Sequence, residues 1–105
     1  MIRKKKTDNV FAVLGLRDPD DLLARAELTR QIYNALKARG LSQEKAGELL
    51  GLKQPDVSLL MRGRYSRFST DRLLHLLTRL GRNIEIVVHN PRSVKARGRL
   101  TVVAA

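Results

Sequence analysis

Residues 42–62 read SQEKAGELLGLKQPDVSLLMR, and this stretch decides the fold. Ala46, Gly47, Leu50, Leu52, Val57 and Leu60 are apolar or small where two short helices crossing at a steep angle would press on each other, and Gly51 separates the two runs. Gly47 has no side chain, so a second backbone can come close there. Gly51 takes a positive φ at no steric cost and ends the first run in a left-handed cap. Leu52 plugs the corner, and Pro55 has a fixed φ suited to a first helical turn. The second run leaves Gln54, Pro55, Asp56, Ser58, Leu59 and Arg62 exposed, a mixed polar strip that packing alone does not require.

With its small, glycine and apolar positions in register, the stretch resembles the helix-turn-helix of lambda-repressor-like (Xre-type) DNA-binding domains. The order of the flanking segments is similar to that of the HigA-like antitoxins of bacterial toxin–antitoxin modules. One departure is Gly47, where alanine is commoner; it weakens the first helix slightly and leaves the packing logic intact. An ordinary helical hairpin with no DNA role is the alternative, but neither the spacing nor the polar strip follows from it. The resemblance implies a mostly α fold, a lambda-repressor-like helix-turn-helix bundle with a short C-terminal β element.

Composition agrees with that direction. The chain has 105 residues, one domain's worth, and no cysteine, which excludes disulfides and thiolate zinc sites and suits a reducing cytoplasm. No apolar run approaches the roughly 20 residues needed to span a bilayer, and the basic N-terminus lacks the apolar segment of a signal peptide, so a cytoplasmic protein with no membrane partner is expected. Lysine and arginine outnumber acidic residues 21 to 10, a net charge of +11, which makes a polyanion the natural partner. Eight of the positive charges lie in the flanks, at Arg3, Lys4, Lys5, Lys6, Arg92, Lys95, Arg97 and Arg99. Such arms add non-specific, salt-dependent affinity for phosphates, or are simply solvated tails.

Before the first clear helix, residues 8–16 (DNVFAVLGL) form an apolar patch, too rich in Val10, Phe11, Val13, Leu14 and Leu16 to leave in water. The domain's own core is the simplest seat for it, and a partner protein is the alternative. Asp18-Pro19-Asp20-Asp21 then starts a helix, with Asp18 as N-cap, Pro19 at the first helical position and two acids facing the positive end of the dipole. This helix should run to about Arg39 and stop at Gly40, burying Leu22, Leu23, Ala26, Ile32, Ala35 and Leu36, with Arg25, Arg30, Lys37 and Arg39 mainly outside.

Ser42 opens the first helix of the motif as its N-cap. The orphan N–H groups of that terminus can hold a phosphate. The resemblance gives Gln43 a part in clamping the backbone there, and Lys45 is exposed beside it. Gln54 sits at the N-terminal end of the second, recognition helix, where an amide can pair with adenine N6 and N7 in the major groove. Ser58 lies one turn further along the same face. Leu59 matches a family position that meets thymine methyls, although a leucine there could equally be core. Asp56 reads as a first-turn dipole residue, because an acid near phosphates is repelled. Arg62, Arg64 and Arg67 follow in an arginine-rich loop whose Tyr65 and Phe68 anchor it to the core. The residues read as DNA-binding are therefore Gln43, Lys45, Lys53, Gln54, Pro55, Ser58, Leu59, Arg62, Arg64 and Arg67.

Ser69 caps a further helix, TDRLLHLLTRL, apolar on a wide face and ended by Gly81; its His75 has no companion ligands at metal-binding spacing. The period then changes to 2. Residues 83–89 (NIEIVVH) are β-branched and partly alternating, and Asn90-Pro91 breaks the run. A lone strand cannot satisfy its backbone, so either residues 100–103 fold back on it or the same strand of another subunit pairs with it. The second arrangement makes a homodimer, as the HigA-like resemblance implies. The organisation expected is residues 1–17 as basic arm and apolar segment, 18–81 as DNA-binding domain, and 82–105 as C-terminal strands and tail for dimerisation.

No nucleophile elbow, phosphate-binding glycine loop or metal cluster is present, and the carboxylates are scattered, so catalysis, cofactors and metals are not expected. A dimeric transcriptional repressor that binds operator DNA is expected instead. The resemblance adds an antitoxin role toward a RelE-like, mRNA-cleaving toxin, and a stand-alone or phage-type repressor is the alternative.

Overall fold

The computed structural model describes residues 19–95 and 97–104. The basic residues 3–6, the apolar stretch 8–16 and Asp18 lie outside the described residues. Four α-helices follow in order among those described: α1 (Pro19–Arg39), α2 (Gln43–Leu50), α3 (Gln54–Met61) and α4 (Thr70–Arg79), with a 3-10 turn at Tyr65–Arg67.

Local chemistry places each boundary. Asp20 and Asp21 sit in the first turn of α1 and Lys37 and Arg39 in its last, both matched to the helix dipole. Ser42 and Ser69 are extended residues whose hydroxyls accept from the N–H groups of Lys45 and Arg72, capping α2 and α4. α1 packs chiefly against α4, and α2 against α3. The core between them is built from Leu28, Ile32, Ala35 and Leu36 of α1, Ala46 and Leu50 of α2, Val57 and Leu60 of α3, Phe68, and Leu73, Leu76, Leu77 and Leu80 at α4. Each fully buried leucine contributes about 1.5–3 kcal/mol relative to exposure.

Two assignments along α1 differ from the expected pattern. Leu23, expected inside, is 67% exposed, whereas Arg25, expected outside, is 7% exposed. The buried stripe runs Ala24, Leu28, Ile32, Ala35, which turns Leu23 away from the core and brings Arg25 to its edge. Arg25 is tolerated there because its charge is matched. Its Nε and Nη2 donate to Asp21 Oδ2 at 3.2 and 2.8 Å, and its Nη1 donates to the Phe68 carbonyl at 3.2 Å. Asp21 Oδ1 in turn accepts from the Thr70 hydroxyl at 3.0 Å, so one carboxylate ties α1 to the start of α4. Losing the guanidinium would leave a buried carbonyl unpartnered, at a cost of about 1–3 kcal/mol.

On the outer side of α1, Arg30 donates to both oxygens of Glu27 at 3.1 and 2.8 Å, and Gln31 donates to Oε2 at 2.7 Å. These hydrogen bonds, that from Arg30 first and then that from Gln31, hold the Glu27 carboxyl below its ordinary value of 4.5.

The expected C-terminal β element is not formed: residues 82–104 contain no strand among those described. Residues 100–103 do not fold back on 83–89 but lie against the start of α1. The Leu100 N–H donates to Asp20 Oδ2 at 3.1 Å, and Val102 is half-buried against the core. With its expected partner occupied elsewhere, the 83–89 run forms no ladder, and Ile86, Val87 and Val88 are exposed by 76%, 61% and 88%.

Candidate nucleic-acid interface

The corner between α2 and α3 is closed by backbone geometry. Gly51 is left-handed at φ 71°, and its N–H donates to the Gly47 carbonyl, which also accepts from Leu52 N–H at 2.9 Å. Arg79 Nη1 from α4 donates to the Leu49 carbonyl at 3.4 Å, satisfying another orphan acceptor at the end of α2. Leu52 is half-buried against the core at the turn.

α3 leaves this corner with Lys53 as an extended N-cap and Pro55 in its first turn. Val57 and Leu60 are 0% and 1% exposed, so this face is locked to the core and the opposite side is forced outward. Lys53, Gln54, Pro55 and Arg62 are exposed, and Asp56, Ser58 and Leu59 are partly so. Leu59 also packs on the core, which leaves only part of its side chain at the surface.

Gln43 and Gln54, eleven residues apart in the chain, line one open groove of about 360 Å³ with Glu44, Gly47, Glu48, Gly51, Leu52 and Lys53. Two amides, a lysine and the carboxylates of Glu44 and Glu48 thus converge where α2 meets the start of α3. Lys45 is exposed on α2 beside this groove, 4.0 Å from Glu48, and both side chains are about two-thirds exposed, so the pair hardly restrains it. Arg62 donates from Nε to the Ser58 carbonyl at 3.4 Å at the end of α3. Arg64 and Arg67 are exposed in the following turn, which the buried Phe68 and the half-buried Tyr65 pin to the domain.

One cation at this edge has no place in the sequence reading. Arg72 of α4 reaches α3, donating from Nη2 to Asp56 Oδ2 at 3.3 Å. A basic residue in the first turn of a helix opposes the dipole, and that mismatch is the signal that could have singled it out. Among the described residues, no three histidine or carboxylate side chains gather as a metal site would require, and no helix is long and apolar enough to cross a membrane.

A four-helix domain with this cap, corner and outward polar helix defines the helix-turn-helix class. Residues 10–89 match the family described as a helix-turn-helix domain. A solved structure described as an XRE-family transcriptional regulator superposes with a TM-score of 0.77 at 32% identity, covering 85% of this chain and 100% of that one. No curated protein matches significantly. The chain belongs to the helix-turn-helix domain family, in its Xre-type branch.

Proposed function

We propose that this chain is a DNA-binding transcriptional regulator that places the N-terminal end of α3 in the major groove of duplex DNA. The observation that carries this is the pairing of a locked inner face, Val57 and Leu60, with an outer strip whose Gln54 shares a groove with Gln43 at the start of α2. In this reading Gln54 reads a base and Ser58 contacts a base or phosphate. Gln43, Lys45, Lys53, Arg62, Arg64 and Arg67 hold the backbone, and Pro55 and Leu59 shape the strip. The net charge of +11 supplies the long-range attraction.

The finer reading is a homodimeric repressor that binds its own operator and, as antitoxin, a RelE-like toxin. The exposed apolar run at Ile86–Val88 supports a protein partner of some kind, since a β-branched strand-forming run stays marginal in water until its backbone is paired. A second copy is the partner for repression, its two recognition helices reading half-sites about 34 Å apart. The toxin role rests on the resemblance to the HigA-like antitoxins and on the apolar sequence of residues 8–16, which suits a protein partner.

Titration against the DNA upstream of its own gene and a scrambled duplex, at two salt concentrations, tests the DNA reading. A preference of at least about 10³ for the first that persists with added salt supports it. Equal, salt-labile binding to both removes it. Co-purification of a small protein encoded beside this chain, toxic when the chain is deleted, tests the antitoxin role.

A further inference from the structure

Arg72 is the third residue of α4, where a cation faces the partial positive charge of the helix N-terminus. It is nevertheless held from two sides. Its Nη2 donates to Asp56 Oδ2 at 3.3 Å, and its guanidinium carbon lies 4.9 Å from the ring centroid of the buried Phe68. Asp71, its neighbour in the chain, is engaged along α4 instead, with Oδ1 3.7 Å from His75 Nε2. Arg72 therefore directs its charge at α3.

Asp56 occupies the first turn of α3, two residues after Gln54. A carboxylate there suits the helix dipole, but it opposes the phosphates that a duplex would bring to the same end of the helix. The Arg72 and Asp56 side chains are 45% and 36% exposed, so a duplex approaching Gln54 would meet both. A lone exposed pair is worth little, yet this one spans two helices and its cation also rests against a buried ring.

We propose that Arg72 is a positioning residue for α3: through Asp56 it holds the first turn of the helix in place and cancels the carboxylate charge that would otherwise repel the DNA backbone. The proposal rests on the DNA reading above. It assigns Asp56 and Arg72 a joint role that neither residue has alone.

The test is a double-mutant cycle of Arg72→Met, which removes the guanidinium and keeps a long unbranched side chain, and Asp56→Asn, read by operator titration and by thermal unfolding without DNA. Arg72→Met is expected to weaken operator binding about tenfold, and adding Asp56→Asn to return it to within about threefold of wild type. The melting shifts of the two substitutions are expected to be non-additive. If Arg72 instead touches a phosphate itself, Asp56→Asn does not rescue and the salt slope falls by about 1, which overturns the proposal. Should the wild type not prefer its operator, the DNA reading fails by itself, and additive melting shifts would then also remove the tie between Arg72 and Asp56.

Discussion

The carbonyl oxygen of Leu52 lies 2.8 Å from the point where a Cβ on Gly47 would sit, with Val57 Cγ2 at 3.3 Å. The oxygen belongs to the backbone of the turn, so it cannot move aside without displacing the start of α3. The glycine is thus demanded by the corner of this chain, even though alanine is the better helix former.

Gly47→Ala should therefore destabilise the domain. Alanine gains about 1 kcal/mol in helix propensity, while overpacking against backbone costs about 1–3 kcal/mol, so the net loss expected is at most about 2 kcal/mol. Chemical denaturation at constant slope measures it. A raised midpoint would mean that the turn relaxes freely.

Two polar substitutions at the interface should separate base reading from backbone holding. Gln54→Ala should cost about 1–3 kcal/mol on the operator and little on random DNA, because an amide pair to adenine is sequence-dependent. Lys45→Ala should weaken both DNAs similarly, since an exposed lysine only loosely paired with Glu48 meets phosphates alone. Equal losses on both DNAs for Gln54→Ala would remove it as a reader.

Glu27 makes part of the stability depend on pH. Its folded pKa lies below its ordinary value of 4.5, because Arg30 and then Gln31 bond the ionised form. A depressed carboxyl contributes stability above its unfolded pKa and loses it as pH falls through the folded value. The window is consequently the acid side of 4.5, and Glu27→Gln should flatten the fall in the urea midpoint there while lowering it slightly near neutrality. The effect should be smaller than that of Gly47→Ala, since the Arg30 side chain is 60% exposed and the pair is screened. An unchanged acid limb would show that the pair is not formed in solution.

Boundaries set by local chemistry were legible. Ser42, Gly51 and Ser69 each act within three or four residues, so their spacing is readable from the chain alone. The buried stripe of α1 was partly legible, because Leu22 and Leu23 allow two phases, and which one wins depends on contacts with α4. Arg25 was not legible at all: its burial is permitted by the Phe68 carbonyl 43 residues away. Arg72 was half legible: its mismatch with the helix dipole marks it in the chain, but its partner Asp56, 16 residues away, is shown only by the fold. At the proposed interface, the exposure of Lys53, Gln54, Pro55 and Arg62 was readable from the polar strip. That Gln43 and Gln54 share a groove follows from the crossing of two helices, which the spacing implied and only the fold could place.

The C-terminal run tests the remaining link, from sequence pattern to assembly. A period of 2 was present in residues 83–89, but a strand is a property of two segments, and residues 100–103 are drawn away by Asp20 and by burial of Val102. If a second copy supplies the missing edge, the proposed dimer depends on Ile86 and Val88, which are 76% and 88% exposed here. Replacing both with aspartate removes nothing from the core, so the melting of the helical domain itself should be preserved. Paired strands would, however, bring four carboxylates into one small sheet, where like charges directly opposite are destabilising. Light scattering should then find a dimer for the wild type and a monomer for Ile86→Asp/Val88→Asp, with operator affinity falling at least about tenfold as one half-site is lost. A wild type that is monomeric at the same concentration would sink this route to the dimer, and the exposed run would have to pair with a different protein.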